Sequence, residues 1–143
     1  MLNTLRRASI VAALVLLPVQ AASAQSKLNV SGIHAGEPFC KTMIKQFDLM
    51  TAYTRSASGI TDPATKKKYF ADQKALNATL VKTAPLSLSS DVALLARDAN
   101  FSYDVQQGTD RKAMMAAIAP LRRPEHLAAA KRANAYCGLS VTK

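Results

Sequence analysis

The chain has 143 residues, with 19 lysines and arginines against nine acids, and a formal net charge of +10. This length suits one domain with a single hydrophobic core and excludes two domains of ordinary size. Two cysteines without a Cys-x-x-Cys motif, together with only two histidines, argue against redox and metal chemistry. The sequence therefore predicts no metal site and no cofactor.

The first 24 residues have the three parts of an export signal. Arg6 and Arg7 precede an apolar run over residues 8–17, and Ala22-Ser23-Ala24 has the small-x-small pattern of a cleavage site. As a helix this run would span about 15 Å, half of a bilayer, so it predicts a cleaved signal and no retained anchor. Cleavage after Ala24 removes two basic residues and no acid, which leaves 119 residues with a charge of +8. The expected location is secreted, periplasmic or in the cell envelope.

Residues 25–36 predict a flexible N-terminal arm, because they are small and polar and show no periodicity. Residues 37–143 predict a single helical domain, since apolar residues recur there at steps of three and four. Proline and glycine mark the helix ends. The predicted helices cover about 38–57, 63–83, 91–107, 110–119 and the segment between Pro124 and Gly138. No alternating strand pattern is present, so the predicted fold is all-α, a four- to five-helix up-and-down bundle.

Cys40 and Cys137 are predicted to form a disulfide that joins the first helix to the last. An exported protein meets an oxidising compartment, and two cysteines allow only one intramolecular pairing. Because 97 positions separate them, the bond is expected to stabilise the fold by about 4 to 5 kcal/mol in the chain-entropy model.

The histidines are the first candidates for catalysis. His34 falls in the predicted arm and His126 in the first turn of the last helix, and both are interpreted as surface residues. No Gly-x-Ser-x-Gly motif accompanies them, so no catalytic residue is predicted. A small cell-surface hydrolase remains an alternative, and it would require His126 to meet a carboxylate and a nucleophile in a concave site.

The acids are also interpreted as surface groups. Most have a basic residue within one helical turn, such as Glu37 with Lys41 and Asp62 with Lys66, which is typical of solvated ion pairs.

A candidate anion-binding surface comprises Lys66, Lys67, Lys68, Arg122 and Arg123. The three lysines lie near the start of their helix, where positive charge is unfavourable because this is the positive end of the helix dipole. Helix stability alone therefore does not explain the lysine triplet. Lipid or wall polymer is the expected partner, whereas nucleic acid is not expected because no recognised motif is present. The alternative interpretation is that these cations are solvated faces.

A carrier of haem or of a small apolar ligand is a further alternative, because helical bundles can enclose such ligands. Tyrosines and histidines would supply axial ligands and methionines an adaptable lining. The candidates are Tyr53, Tyr69, Tyr103, Tyr136, His34, His126, Met43, Met50, Met114 and Met115. The alternative interpretation places the tyrosines and methionines in an ordinary core.

Asn29, Asn77 and Asn100 begin Asn-x-Ser/Thr sequons, two of them inside predicted helices. The alanine-rich signal indicates a bacterial protein, so the sequons are interpreted as coincidental.

Short motifs follow one another along the chain: Phe39-Cys40, Ala84-Pro85, Ser90-Asp91-Val92 and Tyr136-Cys137-Gly138. With the export signal they resemble small exported helical proteins common in actinobacteria. The resemblance implies a helical fold and an exported location but no reaction, since that family is largely uncharacterised. Exported mycobacterial haem carriers share the layout, yet their ligand motif is absent from this sequence. The leading hypothesis is an exported non-enzymatic binding or interaction module, with its oligomeric state left open.

Overall fold

The computed structural model describes residues 27–56 and 62–142. The predicted signal, its cleavage site and the predicted last residue of the first helix, at about 57, lie outside these residues. The elements are β1 (Lys27–Val30), α1 (Pro38–Arg55), α2 (Pro63–Thr83), α3 (Ser89–Gln106), α4 (Arg111–Ala116), α5 (Pro124–Cys137) and β2 (Leu139–Thr142). Two 3₁₀ turns cover Leu86–Leu88 and Ala119–Arg122. The prediction of a helical bundle is confirmed.

Local signals set the start and end of the second helix as predicted. The Asp62 carboxylate accepts a hydrogen bond of 2.8 Å from the backbone N–H of Thr65, and Pro63 occupies the first helical position. Pro85 follows the last turn, where the preceding residue is disfavoured in helical geometry.

The fourth helix is shorter than predicted because of Pro120. The helix ends at Ala116 instead of Ala119. A proline ring clashes with the carbonyl four positions earlier and has no N–H to donate to it, and that carbonyl belongs to Ala116. A 3₁₀ turn over Ala119–Arg122 then leads into α5.

Neighbouring helices run antiparallel, as contacts between them show. Gln46 on α1 lies against Asn77 on α2, and Lys74 on α2 lies against Asp104 on α3. Asp91, near the start of α3, pairs with Arg132 near the end of α5.

The bundle therefore has two ends. We call one end the sheet end; it contains both strands, the starts of α1 and α3 and the ends of α2 and α5. We call the opposite end the basic end; it contains α4, the second 3₁₀ turn, the starts of α2 and α5 and the ends of α1 and α3.

The core is formed by one face of each long helix, with aromatic rings at its centre. Phe70 stacks on Tyr103 with ring centroids 5.2 Å apart, and Tyr53 stacks on Tyr69 at 4.0 Å. The other buried members of this core are Phe39, Met43, Leu80, Leu88, Val92, Leu95, Ala99, Ala129, Ala130 and Ala133. Side chains therefore fill the space between the helices.

A layer of amides crosses this core. The Gln46 amide donates to the Asn77 side-chain oxygen at 2.6 Å, and the Asn77 amide donates to Asn100 at 2.7 Å. Three helices are thus joined by two hydrogen bonds between side chains that are largely buried, which favours one register of α1, α2 and α3 over others.

The Cys40–Cys137 disulfide is present, as predicted. It joins α1 to α5 with the two Cα atoms 5.5 Å apart. Both residues are fully buried, and Met43 packs against the Cys137 sulfur. The bond closes the sheet end of the bundle.

Two predictions are wrong for residues 27–30, which form a strand. These are the absence of strands from the chain and the unstructured arm over residues 25–36. β1 pairs antiparallel with β2, with Lys27 opposite Thr142 and Val30 opposite Leu139. Leu28 and Val30 share one face of this small sheet with the apolar residues of β2, and Leu139 packs against the core. Apolar contact and backbone pairing together hold the two segments on the bundle.

Several large apolar residues of the helices are exposed, although the helical spacing would allow them on an inner face. Phe101 on α3, Met115 on α4 and Leu127 on α5 are about half exposed. On α5 the buried position is taken by His126 instead of Leu127, so the inner face of the helix is shifted by one residue. Among the described residues, no helix is both long enough and apolar enough to cross a membrane.

Candidate functional site

The basic end collects the cations that the sequence singled out. Lys66, Lys67 and Lys68 occupy the first two turns of α2, while Arg122 and Arg123 lie between the second 3₁₀ turn and α5. All are exposed except Lys66, which is half-buried. The antiparallel topology brings both clusters to the same end of the bundle.

Two more cations, Arg111 and Lys112, are exposed at this end, in the first turn of α4. The nearby Asp110 carboxylate is occupied as the cap of this helix, accepting from the backbone N–H groups of Lys112 and Ala113 at 2.9 and 3.2 Å. The positive charge of the basic end is therefore only partly neutralised.

Several acids in the described part of the chain are already paired. Arg132 makes two 2.7 Å bonds to Asp91 at the sheet end, and Lys74 lies 2.7 Å from Asp104 in the last turn of α3. The hydrogen bonds from Arg132 lower the pKa of the Asp91 carboxyl. Among the five cations singled out above, Lys68 has such a partner, Asp72, at 2.5 Å.

The expected pairs of Glu37 with Lys41 and of Asp62 with Lys66 do not form. The Asp62 carboxylate instead accepts hydrogen bonds from the backbone N–H and the hydroxyl of Thr65, and these bonds lower the pKa of Asp62. Within the described ranges no carboxylate lies at ion-pairing distance from Lys66, Lys67, Arg122 or Arg123. Their charges are thus available to an external anion.

Arg122 and Arg123 border a surface pocket of about 260 Å³. Its other lining residues are Met115, Ile118 and Ala119. Ile118 is buried and forms a fixed apolar floor, whereas Met115 is 51% exposed at the rim. Two arginines that line a pocket together with apolar residues suit a ligand that carries both negative charge and apolar groups.

His126 is buried, which corrects its interpretation as a surface residue. Its side chain is 1% exposed, and its Nδ1 lies 3.1 Å from the Asp98 carboxylate on α3. Arg97 donates two hydrogen bonds, of 2.9 and 3.1 Å, to the other oxygen of Asp98. An ionised carboxylate only accepts, so Nδ1 is the donor in this pair.

This pair contains two members of the triad that a hydrolase would need. Within the described ranges no hydroxyl or thiol lies at hydrogen-bond distance from the His126 Nε2. Solvent barely reaches the ring. A reacting nucleophile and access for substrate are therefore not assembled at His126 in this arrangement.

His34 contacts Glu37 and Tyr136 at the sheet end. The Glu37 carboxylate lies 2.7 Å from His34 Nδ1 and accepts a 2.8 Å bond from the Tyr136 hydroxyl. The two rings stack at 4.1 Å. The hydrogen bonds from His34 and Tyr136 lower the pKa of Glu37. The bond between Tyr136 and Glu37 also raises the pKa of Tyr136. This cluster ties the segment after β1 to the end of α5.

The side chains proposed as haem ligands are engaged in other contacts, and three of the tyrosines pack in the aromatic stack of the core. Tyr69 and Tyr103 are buried in the aromatic stack, where burial raises the pKa of both phenols. Tyr136 binds Glu37 at the sheet end. In the described part of the chain, no three histidine, cysteine or acidic side chains are grouped to hold a metal ion.

No family model, no curated protein and no solved structure matches this chain. The function is therefore inferred from the surface of this protein.

The cations could be identified from the sequence, but the pocket could not. Its apolar lining includes Met115, which is 51% exposed. Pro120, four positions after Ala116, signals the early end of α4 but not the outward position of Met115.

Proposed function

We propose that the protein is an exported interaction module that binds an anionic component of the cell envelope through its basic end. The observation that carries this proposal is the grouping of lysines and arginines at one end of the bundle, where Lys66, Lys67, Arg122 and Arg123 have no ion-pair partner among the described residues. The disulfide supports an oxidising compartment, and the surplus of positive charge would attract any anionic surface.

The arrangement favours a surface over a small soluble anion. Lys66, Lys67 and Lys68 fan around the start of α2, and Arg111 and Arg122 belong to other elements of the same end. Charges spread in this way contact many negative groups at once, and each lysine or arginine near an anionic surface contributes about 1 kcal/mol.

The test compares two triple variants that remove the same charge from opposite ends. One changes Lys66, Lys67 and Lys68 to Gln; the matched control changes the exposed Lys27, Lys41 and Lys82 of the sheet end to Gln. Binding to phosphatidylglycerol vesicles and to immobilised polyphosphate is measured at about 0.05 and 0.5 M salt, where screening differs strongly.

We expect the wild type to bind at low salt and to be released at high salt. The basic-end variant should lose about a hundredfold in affinity, since three contributions of about 1 kcal/mol are removed. The sheet-end variant should lose much less. Equal losses in both variants would show that only net charge matters, and absence of binding to both probes would refute the proposal.

A further inference from the structure

We infer that the anionic partner is a lipid bilayer, with Arg122 and Arg123 clasping a lipid phosphate at the pocket while Met115 enters the interface. This inference rests on the proposed function and chooses between its two candidate partners, lipid and wall polymer. The chemistry required is an anion attached to an apolar body.

The composition of the pocket favours a lipid over a polymer. A polyanionic polymer is recognised chiefly through its charge, whereas an apolar lining matches the apolar part of a lipid. Here Arg122 and Arg123 line the pocket together with Met115, Ile118 and Ala119. Guanidinium groups bind phosphate oxygens in a bidentate manner, and the apolar lining suits the glycerol and first methylene groups of the same lipid.

The size of the pocket indicates which part of a lipid it can hold. At about 260 Å³ it is smaller than the sites that enclose a whole drug-sized ligand, which start at about 300 Å³. A two-chain lipid would therefore not be extracted. Its head group would be held at the protein surface while its chains stay in the bilayer.

Apolar side chains are also exposed at the basic end. Met115, which lines the pocket with Arg122 and Arg123, is 51% exposed, and Phe101, in the last turns of α3, is 53% exposed. Exposed apolar groups next to lysines and arginines are the two components of interfacial membrane binding, burial of apolar area and attraction to anionic lipid. Both occur at the basic end.

The sheet end provides an internal comparison. Ile33 and Leu86 are 94% and 95% exposed there, and Lys41 and Lys82 are exposed as well. These apolar residues do not share the described pocket with arginines. The basic end, and not the sheet end, is thus assigned as the membrane-facing end.

A tryptophan placed at Met115 tests this assignment directly, because the chain contains no tryptophan. In the full mature, oxidised protein, the fluorescence of Met115→Trp should shift to the blue with phosphatidylglycerol vesicles and be quenched by brominated acyl chains. Leu86→Trp is the matched control and should show neither change. The reverse pattern, with Leu86→Trp quenched and Met115→Trp unchanged, would overturn the inference.

A second measurement separates lipid from polymer. Met115→Ser should weaken binding to phosphatidylglycerol vesicles about threefold to tenfold, in line with the loss of two to three buried heavy atoms, and leave binding to polyphosphate unchanged. Arg122→Gln combined with Arg123→Gln should weaken vesicle binding by about tenfold or more. If polyphosphate binds and vesicle binding ignores Met115, the lipid inference fails and the proposed function stands. If neither probe binds, both fail.

Discussion

Asp98 and His126 form a hydrogen bond in the interior that joins α3 to α5. Both side chains are at most 5% exposed, and Arg97 completes the set by bonding the second carboxylate oxygen. Removing one member of such a pair leaves the other buried without its partner, which costs far more than the pair itself contributes. The stability of the α3–α5 contact should therefore depend on this carboxylate.

We expect Asp98→Ala to lower the free energy of unfolding by about 3 to 5 kcal/mol. The matched control is Asp104→Ala on the same helix, which breaks the exposed pair with Lys74 and should cost less than about 1 kcal/mol. Urea unfolding followed by circular dichroism measures both. Similar losses in the two variants would contradict a special role for the buried pair.

The second prediction at the residue scale concerns acid sensitivity. Hydrogen bonds from His34 and Tyr136 lower the pKa of Glu37 below its ordinary value of 4.5. A lowered folded-state pKa stabilises the fold fully above the unfolded value, and that stabilisation is lost as the pH falls through the folded-state pKa. Glu37→Gln should therefore be less stable than the wild type at pH 7, with a smaller difference near pH 3.

The control for this prediction is Asp48→Asn, a change at an exposed carboxylate on α1 that has no ion pair or side-chain hydrogen bond within the described ranges. Its unfolding midpoint should follow the wild type at both pH values. A constant difference between Glu37→Gln and the wild type from pH 7 to pH 3 would show that Glu37 acts by packing alone.

The burial of His126 could not be predicted because α5 is rich in alanine. Ala128, Ala129 and Ala130 fit an inner or an outer face equally well, so the hydrophobic pattern leaves the orientation of the helix uncertain by one residue. The partner that satisfies the histidine lies 28 positions earlier, on α3. No local signal connects the two.

At the scale of elements, the sheet depends on a close approach between two glycines. Gly138 ends α5 in the left-handed region, with φ +62°, and a Cβ there would lie 2.2 Å from the backbone N of Gly32. A Cβ on Gly32 would in turn lie 2.4 Å from the Cys137 carbonyl oxygen. Neither position has room for a side chain without moving β1 away from α5.

Gly138→Ala should therefore lower the free energy of unfolding by more than the roughly 1 to 2 kcal/mol of left-handed strain alone. Gly36→Ala is the matched control: nothing lies within 4 Å of a Cβ at that position, and the change should be neutral or slightly stabilising. Thermal unfolding of both variants is the measurement. A tolerated Gly138→Ala would mean that the two backbones do not touch.

The helices were predictable where a proline and a capping residue mark their ends, as Asp62 and Pro63 do for α2. The strands were not. Each has four residues, and its partner lies more than 100 positions away, so pairing leaves no local trace. The alternation of Leu28 with Val30, and of Leu139 with Val141, was the available signal, but two apolar residues are too few to establish a period.

At the scale of the whole molecule, the disulfide is the main covalent constraint. The two cysteines are 97 positions apart, so the bond removes a large loop entropy from the unfolded chain. Changing both cysteines to alanine should lower the free energy of unfolding by about 4 to 5 kcal/mol. Reduction of the wild type should give a similar loss, and free thiols in the non-reduced protein would contradict the assignment.

The candidate site was predictable residue by residue but not as a site. Lys66 to Lys68 and Arg122 with Arg123 were identified from charge, yet more than 50 positions separate the two clusters. Only the antiparallel order of α2, α3 and α5 brings them to one end. The apolar lining of the pocket was missed because Met115 was assigned to the inner face of a longer α4.

The pairing of Lys27 with Thr142 places the two ends of the domain side by side. A short linker between these two residues would allow circular permutation, with new termini in the connection between α3 and α4. In the permuted chain Cys40 and Cys137 would be separated by only about 20 residues, so the loop-entropy contribution of their disulfide should fall by about 1 kcal/mol. The stability of the permuted bundle would depend less on oxidation.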